Sequence, residues 1–183
     1  MAKAQTGSFY LTESVALAAG QASGTTSQGT IDLGAYVNVP TGQAIAIESV
    51  DFIVQRDAPY GQDFESMLAG NGAISFQLSD LNPGTALLRA DNQSLVASGA
   101  LNIDQTNNIG SDTADFYPDS FGTVAMSDMF MVVNDSLFLT AMPSGTAVGT
   151  DNLFVTVRVR CRVVKLGQQD WMAIAIQSTA ADN

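Results

Sequence analysis

Leu153-Phe-Val-Thr-Val-Arg-Val-Arg-Cys-Arg-Val163 is the stretch whose reading decides the fold. Leu153, Val155, Val157, Val159, Cys161 and Val163 share one parity, while Phe154, Thr156, Arg158, Arg160 and Arg162 share the other. Alternation with period two over eleven residues is the signature of a half-buried β-strand, because successive side chains leave opposite faces. Each aliphatic group buried there contributes about 1.5–3 kcal/mol. A slip of one residue would carry three arginines into the core, so the register is sharply specified.

The same alternation predicts further strands on either side. Ser8–Ala18 places Phe9, Leu11, Val15 and Leu17 on one parity, and Gly29–Val39 carries Ile31, Leu33 and Val37. Gln43–Gln55 holds Ile45 and Ile47 on one parity and Val50, Phe52 and Val54 on the other. That change of phase near Glu48–Ser49 predicts a β-bulge or a bend. Ala73–Ser79 alternates through Ile74, Phe76 and Leu78, with weaker strands at Thr85–Arg89 and Ser94–Ala97. Met129–Val133 and Ser136–Met142 flank Asn134-Asp135, a link suited to a two-residue hairpin. Trp171–Ile176 reads as a last strand, and only Gln62–Leu68 is helical in character. Asp57–Gly61, Asn82–Gly84 and Pro143–Gly145 are turn chemistry. Ser98–Met126 lacks periodicity and is expected as a long loop insertion at about 98–127; its Phe116, Tyr117 and Phe121 suit contacts better than free flexibility.

Eight or nine short strands without convincing helices predict an all-β fold in one domain spanning residues 1–183. Long non-hairpin connections and the mid-strand bend favour an antiparallel eight-stranded jelly-roll sandwich. Immunoglobulin-type sandwiches are the nearest rival, but the single cysteine leaves no intramolecular pair.

The composition restricts the chemistry. The chain has no histidine, so Ser-His-Asp triads, Cys-His dyads and most zinc sites are unavailable. Its net charge is −11, with seven bases against eighteen acids, which disfavours nucleic-acid binding. Charged residues make up only 14%, against about 25% in ordinary soluble domains, and this suits a surface covered by other subunits. The plainer reading of that skin is a secreted β-sandwich. Aspartate outnumbers glutamate fifteen to three and there are two lysines, a balance suited to strong salt as well as to a fold rich in Asp-containing turns. No signal peptide is expected, because Glu13 precedes the short apolar stretch Val15–Ala19, and no window reaches the length of a membrane span.

Few residues invite a site. Arg158, Arg160 and Arg162 put three of seven bases on one strand face, to pair with carboxylates of neighbouring strands, to meet another subunit, or to meet an anionic surface. Asp112, Asp115 and Asp119 are weak candidates for a hard cation, without the spacing of a calcium loop. Asp63 and Glu65 form a nominal glycosidase pair without the aromatic platforms such clefts offer. Cys161 faces inward as an inert core residue, and Trp171 suits a core or interface anchor. Asn92 and Asn134 open glycosylation sequons, and the glycines of Gly20–Gly29 lack the lysine of a phosphate loop. No catalytic residue and no cofactor are expected.

Leu153–Leu166 followed by Gly-Gln-Gln-Asp-Trp-Met-Ala-Ile-Ala-Ile176 is similar to the closing strands of small viral capsid proteins. With the acidic, lysine-poor composition, the chain resembles the single-jelly-roll major capsid proteins of membrane-containing icosahedral viruses of the sphaerolipovirus type. These viruses infect halophilic archaea, with relatives in thermophilic bacteria. The resemblance implies a structural virion protein made in the host cytoplasm. It implies a homo-oligomer in pseudo-hexameric capsomers, beside a second capsid protein and over an internal membrane. On this expectation Arg158, Arg160, Arg162, Phe116, Tyr117 and Phe121 make subunit contacts. The alternative is a carbohydrate- or receptor-binding β-sandwich module of a fibre or cell-surface protein.

Overall fold

Residues 2–57, 64–113 and 129–180 are described by the computed structural model of the chain. Ten strands occur among them: β1 (Lys3–Ala4), β2 (Phe9–Leu17), β3 (Ser27–Asp32), β4 (Gln43–Arg56), β5 (Gly72–Ser79), β6 (Leu95–Asp104), β7 (Ile109–Thr113), β8 (Phe130–Val132), β9 (Ser136–Ser144) and β10 (Leu153–Lys165). Two helices accompany them, α1 (Phe64–Met67) and α2 (Gln168–Ala180).

All pairings between these strands are antiparallel. In the first sheet β2 lines one edge of β10, continued by β1, and β4 and β8 follow on the other side. The second sheet runs β3-β9-β5-β6-β7. With β1 and β7 set aside, the orders β2-β10-β4-β8 and β3-β9-β5-β6 are those of an eight-stranded jelly roll. The chain changes sheet after β2, β3, β4, β7, β8 and β9, whereas β5, β6 and β7 are successive partners in one sheet. The predicted all-β sandwich is therefore the observed one.

The inward row of β10, Leu153 to Val163, is buried along its whole length. It shares one core cluster with Ile45, Ile47 and Val50 of β4 and with Leu137, Leu139, Ile74 and Leu78 of the facing sheet. Phe52 and Phe76 bridge the sheets with ring centroids 4.7 Å apart. The phase change in β4 is a bulge: Arg160 pairs with Ser49 and Cys161 with Ile47, so Glu48 is the extra residue. Without it, Val50, Phe52 and Val54 would point away from the core.

Several expectations are corrected. Trp171–Ile176 belongs to helix α2, not to a strand. Its Trp-Met-Ala-Ile-Ala-Ile run alternates, but Ala, Met and Gln favour helix, and Asp170 sits in the first turn, where the helix dipole favours an acid. Trp171, Ile174 and Ala175 of α2 pack on Ala44, Ala46, Val164 and Leu166, covering one end of the first sheet's outer face. Asn134-Asp135 joins no hairpin: β8 pairs with β4 and β9 with β3 and β5, so this link crosses between sheets. The strand expected over Gly29–Val39 ends at Asp32, whose Oδ1 accepts from the Gly34 N–H at 2.8 Å and turns the chain. Thr85–Arg89 is not a strand; Gln77 both donates to and accepts from the Leu88 backbone and ties this loop to β5. The loop expected from residue 98 begins as β6 and β7, joined by a turn in which Asp104 accepts from the Asn107 backbone at 3.2 Å and side chain at 2.7 Å.

Candidate subunit-contact face

The outward row of β10 builds the site. Cross-strand register places Tyr10, Arg160 and Ser49 in one row, then Thr12, Arg158 and Asp51, then Ser14, Thr156 and Ile53, then Ala16, Phe154 and Gln55. These twelve residues form the outer face of the β2-β10-β4 sheet beyond α2. They include two bases and one acid, in a chain whose acids outnumber bases eighteen to seven. Tyr10 is 52% exposed and Ile53 37%. The hydroxyl of Thr156 donates to that of Ser14 at 3.0 Å, and the Arg158 guanidinium lies 4.9 Å from the centroid of the Tyr10 ring. Stacking on an aromatic face leaves the planar fork of an arginine oriented for a carboxylate.

The other two arginines turn to a carboxylate of their own chain. The bulge sets Glu48 among them with only 3% of its side chain exposed. Its Oε2 lies 2.9 Å from Arg160 Nε, and its Oε1 is paired with Arg162. Ser8 donates to the same Oε1 at 2.7 Å and accepts from Arg162 Nη2 at 3.3 Å. Burial opposes the charge on Glu48, but hydrogen bonds from Ser8 and Arg162 and the charges of Arg162 and Arg160 prevail and hold its carboxyl below the ordinary glutamate value. Cys161, on the opposite side of β10, is fully buried, and burial together with the Glu48 charge pushes its thiol up to about 12. Arg56 is engaged separately, by Asp151 Oδ2 at 3.1 Å and Ser66 Oγ at 3.0 Å.

The arginine row is thus divided. Arg160 and Arg162 have the neighbouring-strand carboxylate that the plainer reading called for, and Arg158 is presented outward on Tyr10. Sequence reasoning missed Glu48 and Tyr10 as partners. A glutamate at the phase change of one strand and arginines at alternate positions of another were the available signals. Asp63, Asp115, Phe116, Tyr117, Asp119 and Phe121 lie outside the described residues, and the side chains of Glu65 and Asp112 are not described either.

No protein-family model and no curated protein matches the chain. Among solved structures it aligns with VP1 of Merkel cell polyomavirus as an unassembled pentamer, at 11% identity and a TM-score of 0.44, over 90% of this chain and 99% of that one. It also aligns with VP1 of Trichodysplasia spinulosa-associated polyomavirus in complex with 3′-sialyllactose. There the identity is 12% and the TM-score 0.45, over 90% of this chain and 97% of that one.

Proposed function

We propose that the chain is a non-enzymatic viral capsid protein, a jelly-roll subunit that assembles with copies of itself. The observation that carries this reading is the charge-poor outer face of the β2-β10-β4 sheet. A chain of net charge −11 repels its copies over most of its surface, so association is favoured where the acids are fewest. One acid-poor place is the patch of Tyr10, Arg158, Thr156, Ile53 and their neighbours, whose twelve residues include a single acid. Arg158, stacked on Tyr10, is oriented to receive a carboxylate of the adjoining subunit. On the resemblance drawn from the sequence, the subunits stand in pseudo-hexameric capsomers of an icosahedral shell, beside a second capsid protein and over an internal membrane. The same reading places the protein in the virion and attributes its acidity to a salt-rich host.

The test is to compare the wild-type chain with Ile53→Asp by negative-stain electron microscopy at equal concentration. Ile53 faces outward, so the substitution spares the core while adding an acid to the contact face. Discrete oligomers from the wild type and none from Ile53→Asp support the reading. Equal assembly by both refutes the role of this face, and a monomeric wild type that binds a defined glycan on an array replaces the capsid reading with the carbohydrate-binding one.

A further inference from the structure

Where α2 begins, the turn before β4 and the end of β10 enclose a groove of about 810 Å³. Its apolar walls are Val39, Pro40, Leu166, Trp171 and Met172, and its charged group is Lys165. The groove is fixed by a close backbone approach. Gly42, at φ +69°, accepts from the Leu166 N–H at 2.8 Å, and a Cβ there would stand 2.7 Å from the Leu166 carbonyl oxygen.

Three features of this place are unsatisfied. Val39 is 59% exposed and Met172 54%, an uncommon display of large apolar groups at one corner. Trp171 keeps a buried Nε1–H without an acceptor among the described residues, at the cost such orphaned donors carry. Lys165 stands directly opposite Lys3 in the β1–β10 register. These are the only two lysines of the chain, and neither is ion-paired among the described residues. Like charges facing each other across a strand pair are unfavourable by themselves. Among the described residues no carboxylate lines the groove; its polar side is the Lys165 ammonium with Thr41 and Gln168, beside an apolar floor. A complementary ligand supplies carboxylates, a carbonyl and a ring.

We propose that this groove receives an acidic, aromatic-bearing segment of a second copy of the chain. The sequence contains such a segment in Ala114-Asp-Phe-Tyr-Pro-Asp-Ser-Phe121, with two acids and three aromatics in eight residues. Its carboxylates match Lys3 and Lys165, its rings match Val39, Pro40 and Met172, and a backbone carbonyl satisfies Trp171. The choice of a second copy as donor rests on the shell reading above; the chemistry of the groove does not.

Trp171 is the only tryptophan, so its fluorescence reports occupancy without a label. The experiment titrates the full chain in dilute buffer with the synthetic 114–121 peptide, exciting beyond the tyrosine band. A saturable change in Trp171 emission is expected. The affinity should fall about tenfold when the peptide carries Asn in place of Asp115 and Asp119, and similarly with Lys165→Glu or the milder Lys165→Gln. No response at millimolar peptide, or equal affinity for the Asp and Asn peptides, overturns the proposal. A response to vesicles of equal phosphatidylcholine and phosphatidylglycerol with none to the peptide overturns it in favour of a lipid surface. Peptide binding by a chain that stays monomeric upholds the groove and overturns the shell reading; assembly without peptide binding does the reverse.

Discussion

Glu48→Gln is the most informative single change. The substitution keeps the size of the side chain and its ability to accept from Ser8, but removes the charge. Glu48 is almost wholly buried, whereas the Arg162 and Arg160 side chains are 25% and 42% exposed. A hydrogen bond to a charged group contributes about 1.5–3 kcal/mol, and Arg162 makes one to Glu48. The more exposed Arg160 is screened by water and adds at most about 1 kcal/mol. Glu48→Gln is therefore expected to cost about 1.5–4 kcal/mol at neutral pH, read as a shift of the urea midpoint at unchanged slope. The pH dependence has a definite sign. A carboxyl held below its ordinary value in the folded state stabilises fully above the unfolded value near 4.5. That contribution disappears as pH falls through the lower folded value, so the gap between wild type and variant closes on acidification. A variant within about 0.5 kcal/mol of wild type at pH 7, or a gap that widens in acid, would refute this account of the bulge.

The remaining predictions concern the core and the outer face. Cys161, with its thiol pushed up to about 12 and no solvent exposure, should resist thiol reagents at pH 8 until denaturant unfolds the chain. Phe52→Ala should remove the ring that bridges the sheets to Phe76 and cost about 3–5 kcal/mol by thermal or urea unfolding. Gly149→Ala should fail to reach a stable fold, because its Cβ would collide with the Ser66 carbonyl oxygen, and circular dichroism of the expressed chain would show it. Arg158→Ala should leave the unfolding midpoint within about 0.5 kcal/mol of wild type, since its contact with Tyr10 is on the surface, while weakening self-association measured by sedimentation.

What the sequence made legible follows from periodicity. β10 could be read to its last inward residue because polar and apolar side chains alternate from Val155 to Val163. The bulge could be read because Ile45 and Ile47 disagree in phase with Val50, Phe52 and Val54. Periodicity fails where two structures share a pattern: Trp171–Ile176 alternates like a strand, and helical propensity with a docking surface of Ala44, Ala46 and Val164 decides otherwise. It also says nothing of which sheet a strand joins, so Asn134-Asp135 reads as a hairpin although its flanking strands separate. Partnerships across the chain are the least legible. Glu48 lies far from Arg160 and Arg162 in sequence, and only the β4–β10 pairing brings them together. Tyr10 under Arg158 is hidden for the same reason, because it depends on β2 lying along β10.

The central claim, that the chain works by assembling with itself, is tested most directly by the mass of the purified protein. Light scattering after size exclusion, across a range of concentrations in molar salt and in dilute buffer, gives that mass. The account predicts discrete oligomers of capsomer size that grow with concentration and persist in molar salt, where repulsion between acidic copies is screened. A monomer at every concentration and both salt levels would contradict it.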